Sequence, residues 1–178
     1  MIKLITQIAN GIDQINDTIG KAVSWLTLFM VLVTFAIVVM RYVFNEGSIA
    51  AQESVMYMHA LVFMLGAAFT LKQNGHVRVD IFYNKMSARK KSIVDFLGYL
   101  LLLLPVCIFI FWSSWDYVTE SWRIKESSRE AGGLAWVYIL KTSILIMAAL
   151  LILQAIAEML RHLMTIFSKS PNNTPIKS

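Results

Sequence analysis

The 178-residue chain holds four long stretches without a single Asp, Glu, Lys or Arg: Ala22 to Met40 (19 residues), Ser54 to Leu71 (18), Phe96 to Trp115 (20) and Thr142 to Ala157 (16). The fourth grows to 24 residues if it opens at Leu134 and tolerates Lys141 near one end. Crossing about 30 Å of hydrocarbon takes roughly 20 helical residues, with about 17 to 25 workable, so four runs imply four spans. Backbone groups in lipid must pair internally, and helices of this length do so. A membrane β-barrel needs many strands of about 10 residues that alternate in polarity, and these runs do not alternate. Four buried helices of a soluble protein rarely coincide at such lengths, and a chain that is 57% apolar, 15% charged and has a mean hydropathy of +0.62 argues against them as well. The expected fold is all-α, an integral membrane protein with four transmembrane helices.

Basic residues beside the spans set the orientation. The segments before span one, between spans two and three, and after span four carry a net charge of +6, while the two other loops carry −1. Both termini and the middle loop are therefore expected on the cytoplasmic side. Trp112, Trp115, Tyr117 and Trp122 gather where span three leaves the membrane, and Trp136 and Tyr138 where span four enters, as an interfacial belt on the outer face would. The basic balance is thus a topology signal. Nucleic-acid binding would want basic residues interleaved with exposed aromatics on a soluble face, whereas Arg89, Lys90 and Lys91 sit just before a span, where membrane lipid is the ordinary partner.

The leader before span one mixes Asp13, Asp17 and Lys21 with isoleucines, unlike a cleavable secretion signal, so the first span is expected to act as an uncleaved insertion signal. Ile2, Ile5, Ile8, Ile12, Ile15 and Ile19 recur every three or four residues, opposite Lys3, Asn10, Asp13 and Asp17. That pattern predicts an amphipathic helix over residues 1–21, lying in the inner interface or docked on a partner subunit. Residues 22–163 would form the four-helix transmembrane domain, and residues 164–178, with Pro171, Asn172, Asn173 and Pro175, a flexible cytoplasmic tail. Between spans two and three, His76 to Ile81 alternates in the extended manner, and Ser87 is placed to cap the helix that continues into span three. Pro105 removes a backbone hydrogen bond inside that span, which predicts a kink near Leu101 to Pro105.

Chemistry is sparse. The single Cys107, deep in span three, reads as a packed thiol, and His59, His76 and His162 lack the close spacings of metal sites. Paired intramembrane histidines could hold haem, but His59 would lie roughly 7 to 8 Å inside the outer boundary with no second histidine at its depth. Gly132-Gly133 is a bare pair rather than a phosphate loop, and no Ser, His and Asp set has a recognisable context. No enzyme activity and no cofactor in this chain are expected. A carrier of ions or charged solutes usually keeps an ionisable residue inside the bilayer, at a cost of about 2.5 to 3.5 kcal/mol on insertion scales. None of the four runs contains a carboxylate, Lys or Arg, so the chain reads as a scaffold for something larger.

Several fragments in order resemble a known family. They are Arg41-Tyr42-Val43-Phe44-Asn45 closing span one, Glu53 opening span two, Gly66-Ala67-Ala68 near its inner end, and His76-Val77-Arg78-Val79-Asp80 in a basic loop. Together, from about Trp25 to Leu160, they resemble the small membrane subunit of TRAP transporters, the DctQ family. The stretch from Trp122 through Glu126-Ser127-Ser128, Glu130-Ala131-Gly132-Gly133-Leu134 and Lys141 is similar to the branch associated with mannitol, chloroaromatic or 2-oxo acid uptake. One departure is Ala50-Ala51-Gln52 before Glu53, where many members carry Trp and a second acidic residue.

The resemblance implies a tripartite, sodium-coupled importer of organic acids such as C4-dicarboxylates, 2-oxo acids or sialic acid, in the bacterial inner membrane. A periplasmic substrate-binding protein captures the acid, a large multi-span subunit carries it and holds the sodium coupling, and the small subunit braces the large one and contributes to docking. Arg41, Tyr42, Glu53, Gly132, Gly133 and Lys141 are then candidate structural or partner-interface residues, with Arg41, Glu53 and Lys141 expected as one charged cluster. The acidic Glu120, Glu126 and Glu130 become candidates for contact with the binding protein. Two other classes are a membrane-anchor subunit of a redox complex, which predicts haem absorbance, and a stand-alone small exporter, which predicts a carboxylate inside a span.

Overall fold

The computed structural model describes residues 2–76, 83 and 85–167, without the side chains of residues 2 and 4. Helix α1 covers Ile2–Val43, α2 Ile49–Lys72, α3 Ala88–Ile124 and α4 Val137–Phe167. All four are long and apolar enough to cross a membrane, and there is no strand among the described residues. The five-residue connection at 44–48 makes α1 and α2 antiparallel neighbours. Helix α1 packs on α2, and α4 packs on all three others, so α4 is the hub. Its sequence explains this: Ala148, Ala155 and Ala157 are fully buried where other helices approach closely. The connections at residues 44–48 and 125–136 lie at one end of the bundle, called the loop end below. The first turns of α1, the last turns of α2 and α4, and the start of α3 lie at the opposite end.

The amphipathic leader is continuous with span one. Helix α1 has 42 residues, about 63 Å at 1.5 Å per residue, roughly twice the hydrocarbon thickness. No residue between the leader and Ala22 breaks the helix, and the only glycine at the junction serves packing: a Cβ on Gly20 would collide with the Phe69 ring of α2. The later half of the leader's polar side turns inward, with Asn16 buried and Asp13 and Asp17 half-buried against α2 and α4, while Lys3, Asn10, Ile8 and Ile15 are exposed.

Helix α3 answers to Pro105. Residues Tyr99–Leu103 form one π-helical turn, in which the Leu104 N–H bonds the Tyr99 carbonyl five residues back. Proline lacks an N–H and its ring crowds the carbonyl four residues earlier, so a wider turn is a local way to accommodate it. The predicted extended stretch after His76 lies outside the described residues, as does the tail beyond Phe167; residues 164–167 are helical. Ser87 occupies the N-cap position of α3 in extended conformation, without a side-chain cap bond.

Candidate functional site

Polar side chains concentrate at the two ends of the bundle. At the loop end, Ser48 caps α2 by accepting the Ala51 N–H at 3.3 Å, and Glu53 follows just over a turn later. The Glu53 carboxylate accepts the Ser128 hydroxyl on one oxygen and the Leu134 N–H, at 2.6 Å, on the other. The loop it grips is closed on itself: the Ser128 N–H bonds the Leu134 carbonyl at 2.9 Å, the Glu130 N–H bonds the Ser128 hydroxyl at 3.1 Å, and the Gly133 N–H bonds the Glu130 carbonyl at 3.0 Å. Both glycines are required, for different reasons. Gly132 has φ +79°, a left-handed conformation costly for other residues, and a Cβ on Gly133 would strike the Ser128 side chain and come within 2.8 Å of the Glu53 carboxylate.

A second arrangement stands beside it. Glu126 accepts from the Lys141 ammonium at 2.5 Å and from the Ser121 hydroxyl at 2.7 Å, and these bonds hold its carboxyl below the usual carboxylate range. The Lys141 ammonium also lies 3.9 Å from the centre of the Tyr117 ring. Lys125 ends α3 in a left-handed conformation and sets its ammonium over the Trp122 and Tyr138 rings, while the Trp122 indole donates to Thr142 at 2.8 Å. Tyr57, one turn below Glu53 on α2, buries its hydroxyl with no hydrogen-bond partner among the described residues.

The candidates singled out from sequence therefore separate. Glu53, Gly132 and Gly133 meet in one loop clamp, and Glu126 and Lys141 pair next to it. Arg41 and Tyr42 project from the end of α1 and make no hydrogen bond or ion pair with a described residue, so the expected cluster of Arg41, Glu53 and Lys141 is not a single unit. Glu120 pairs with Arg123 on the surface, and the Glu130 side chain is exposed.

The opposite end holds a network that the sequence reading did not assemble. Arg161 bridges Asp13 at 2.5 Å and Glu158 at 2.7 Å, Lys72 pairs with Asp17 at 2.5 Å and lies 3.9 Å from Asp13, and Gln154 links Asn16, Asp13 and Glu158. Nearby, the Tyr83 hydroxyl donates to Asp95 at 2.5 Å, and His162 approaches Asp95 and stacks on Tyr99. The available signals were Gln154 inside a span and the three- and four-residue spacing of Asp13, Asn16 and Asp17. Among the described residues no group of three or more His, Cys, Asp and Glu side chains is arranged to hold a metal ion.

Chemically, both ends are fasteners: each joins helices or a loop through complementary charges within the chain. The family model described as "Tripartite ATP-independent periplasmic transporters, DctQ component" matches residues 30–165. The C4-dicarboxylate TRAP transporter small permease protein DctQ of Vibrio cholerae is 32% identical over 111 residues, 60% of this chain and 46% of that protein. A putative TRAP transporter small permease protein of Haemophilus influenzae is 33% identical over 93 residues, 52% of this chain and 56% of that protein. The chain thus spans about half the length of the curated relatives it matches. No solved structure matches with significance.

Proposed function

Because this chain belongs to the DctQ family of tripartite ATP-independent periplasmic transporters, a family of multi-pass inner-membrane small permease subunits without enzymatic role, we propose that it braces the large membrane subunit of a sodium-coupled importer of organic acids. A periplasmic binding protein delivers the acid, the large subunit carries it together with sodium, and this chain holds the large subunit in place and adds to the docking surface. The substrate class is an organic carboxylate, by analogy with the C4-dicarboxylate named for the Vibrio relative. Residues 122–141 resemble the branch associated with mannitol, chloroaromatic or 2-oxo acid uptake, of which the 2-oxo acids fall within this class. Both termini face the cytoplasm and the loop end faces the periplasm, a reading supported by the charge bias of the loops.

The observation that carries this reading is the position of charge. The intrachain ion pairs lie near the helix ends, and the uncharged middles of the helices offer a charged solute no ionic step. Purified subunits reconstituted in vesicles test it: sodium-driven accumulation of an acid is expected only with the large subunit and the binding protein present. Accumulation by this chain alone would refute it.

The geometry also sorts the docking candidates. Glu126 is committed to Lys141 and Glu120 to Arg123, which leaves Asp116 and Glu130 as the exposed carboxylates of residues 116–130 without a side-chain partner among the described residues. Docking of the binding protein should weaken as salt rises, and D116N/E130Q should remove that dependence. Salt-independent docking by the unmodified complex would discard these two residues as docking contacts. Arg41, projecting without a partner among the described residues, is positioned for the large subunit, and R41A should reduce co-purification; unchanged complex yield would count against that role.

A further inference from the structure

We propose that the groove between α1 and α2 seats one transmembrane helix of the large membrane subunit, and that this helix presents a hydrogen-bond acceptor oxygen to His59. The proposal rests on the bracing function above and assigns its contact face.

The groove opens on the outside of the bundle. Its loop-end half, about 710 Å³, is walled by Val31, Thr34 and Phe35 of α1 and by Met56 and His59 of α2. Its other half, about 410 Å³, continues past Thr27, Phe63, Gly66 and Thr70. On α2 the facing residues His59, Phe63, Gly66 and Thr70 follow a spacing of four, three and four; on α1, Thr27, Val31, Thr34 and Val38 follow the same spacing. Two parallel helical stripes thus flank a trough roughly three turns long.

Three observations separate this face from one built for lipid. First, His59 lies ten residues into α2, about 15 Å along a helix about 36 Å long, so it sits at hydrocarbon depth. It faces outward and has no hydrogen-bond partner among the described residues. Acyl chains offer a histidine nothing to bond, and an unpaired polar group in hydrocarbon is costly. The neighbouring hydroxyls make no such demand, since Thr34 bonds the Met30 carbonyl and Thr70 the Gly66 carbonyl.

Second, Gly66 is not explained by the chain's own packing. A Cβ there would meet nothing within 4 Å, whereas one at Gly20 would strike Phe69. A glycine facing an open trough in a span lets another backbone approach closely. Third, the outward face of α3 contrasts with the groove. Leu101, Leu102, Val106 and Phe109 are exposed there, and the one hydroxyl beside them, that of Ser113, already bonds the Ile110 carbonyl at 3.4 Å, so this is a surface acyl chains accept.

The test uses the intact complex. The tagged chain is co-expressed with its large subunit, carrying a photoreactive residue in place of Val31 or Phe63 in the groove, or of Phe109 on α3. Probes at 31 and 63 are expected to link to the large subunit, and the probe at 109 only to lipid. In parallel, H59F should lower retention of the large subunit about threefold to tenfold, the range of a single interhelical hydrogen bond in a membrane. G66L should lower it further while leaving the thermal stability of the isolated chain unchanged. Lipid adducts alone at 31 and 63 in an intact complex, a protein adduct at 109 without one at 63, or full retention in G66L would overturn the groove assignment and leave the bracing function standing. Failure of the unmodified chain to co-purify with the large subunit would overturn the bracing function as well.

Discussion

Replacing Gln154 with leucine tests whether the buried polar link between α1 and α4 is a coupled unit. Gln154 is fully buried and Asn16 is 1% exposed. The Gln154 amide donates to Asp13 at 3.1 Å and to Glu158 at 2.9 Å, and its oxygen accepts from Asn16 at 2.7 Å. In Q154L both carboxylates keep Arg161, so their loss is modest, but the Asn16 amide is left with no partner at all, its oxygen being unpaired already. One buried orphaned donor costs about 1–3 kcal/mol and each lost bond about 0.5–1.5 kcal/mol, which places Q154L near 3 kcal/mol. N16L removes its own orphan together with the bond and strands only the Gln154 oxygen, so about 1 kcal/mol is expected. The double variant strands nothing and should cost about 2 kcal/mol, less than the sum of the singles by about 2 kcal/mol. Unfolding free energies from denaturing-detergent titration of the micelle-solubilised chain give all three values. Additivity to within about 0.5 kcal/mol would refute the coupled link.

At Gly20, substitution by alanine should force α1 and α2 apart where Phe69 packs and cost about 1–3 kcal/mol in the same titration, and F69L should recover part of it. G132A should cost about 1–2 kcal/mol through its left-handed backbone, whereas G133A should detach the Ser128 hydroxyl from Glu53 and speed amide hydrogen exchange across residues 128–134. E53Q should weaken the same clamp, because the amide nitrogen that replaces one carboxylate oxygen donates and cannot accept, so Ser128 and Leu134 no longer each face an acceptor. The lowered Glu126 carboxyl makes a signed contribution to stability: present above the ordinary carboxylate range, lost as pH falls through the lower folded-state value. E126Q should flatten that part of an acid titration of stability, and an unchanged acid limb would count against the Lys141 pairing as its cause.

The spans were readable because lipid leaves a helix few alternatives, so uninterrupted apolar length is nearly sufficient information. The disturbance at Pro105 was readable for a similar reason, since a missing N–H acts within one turn; its form as a π turn required the packed helix. Asp13 and Asp17 show where reading stopped. Charges at helical spacing opposite isoleucines look like a water-facing stripe, and nothing local says that Lys72 and Arg161, 55 and 148 residues from Asp17 and Asp13, will meet them. The loop end divided in the same way. Gly132 and Gly133 stood out by type, but Ser128 acquires its role only when the loop folds back 75 residues onto Glu53. Arg41 was grouped with Glu53 and Lys141 because all three end or begin spans, and span ends share a depth without sharing a neighbour.

Depth also explains why the fasteners stand where they do. Along α4, Lys141 and Arg161 are 20 residues apart, about 30 Å of helix, and along α2 Glu53 and Lys72 are 19 apart, about 28 Å. Those separations equal the hydrocarbon thickness, so each ionic arrangement falls at a boundary where its charges keep partial solvation and cost little to hold. Between the boundaries α4 offers alanines for close approach, and the Asn16–Gln154 bond is a polar link inside the layer. A helix tied at both ends to its neighbours, and packed tightly between, has few alternative arrangements. A transporting element needs at least two, because alternating access exchanges one set of contacts for another. With each fastener's charges paired inside one conformation, the energetic preference of this fold is to stay put, which is what the proposed bracing role requires.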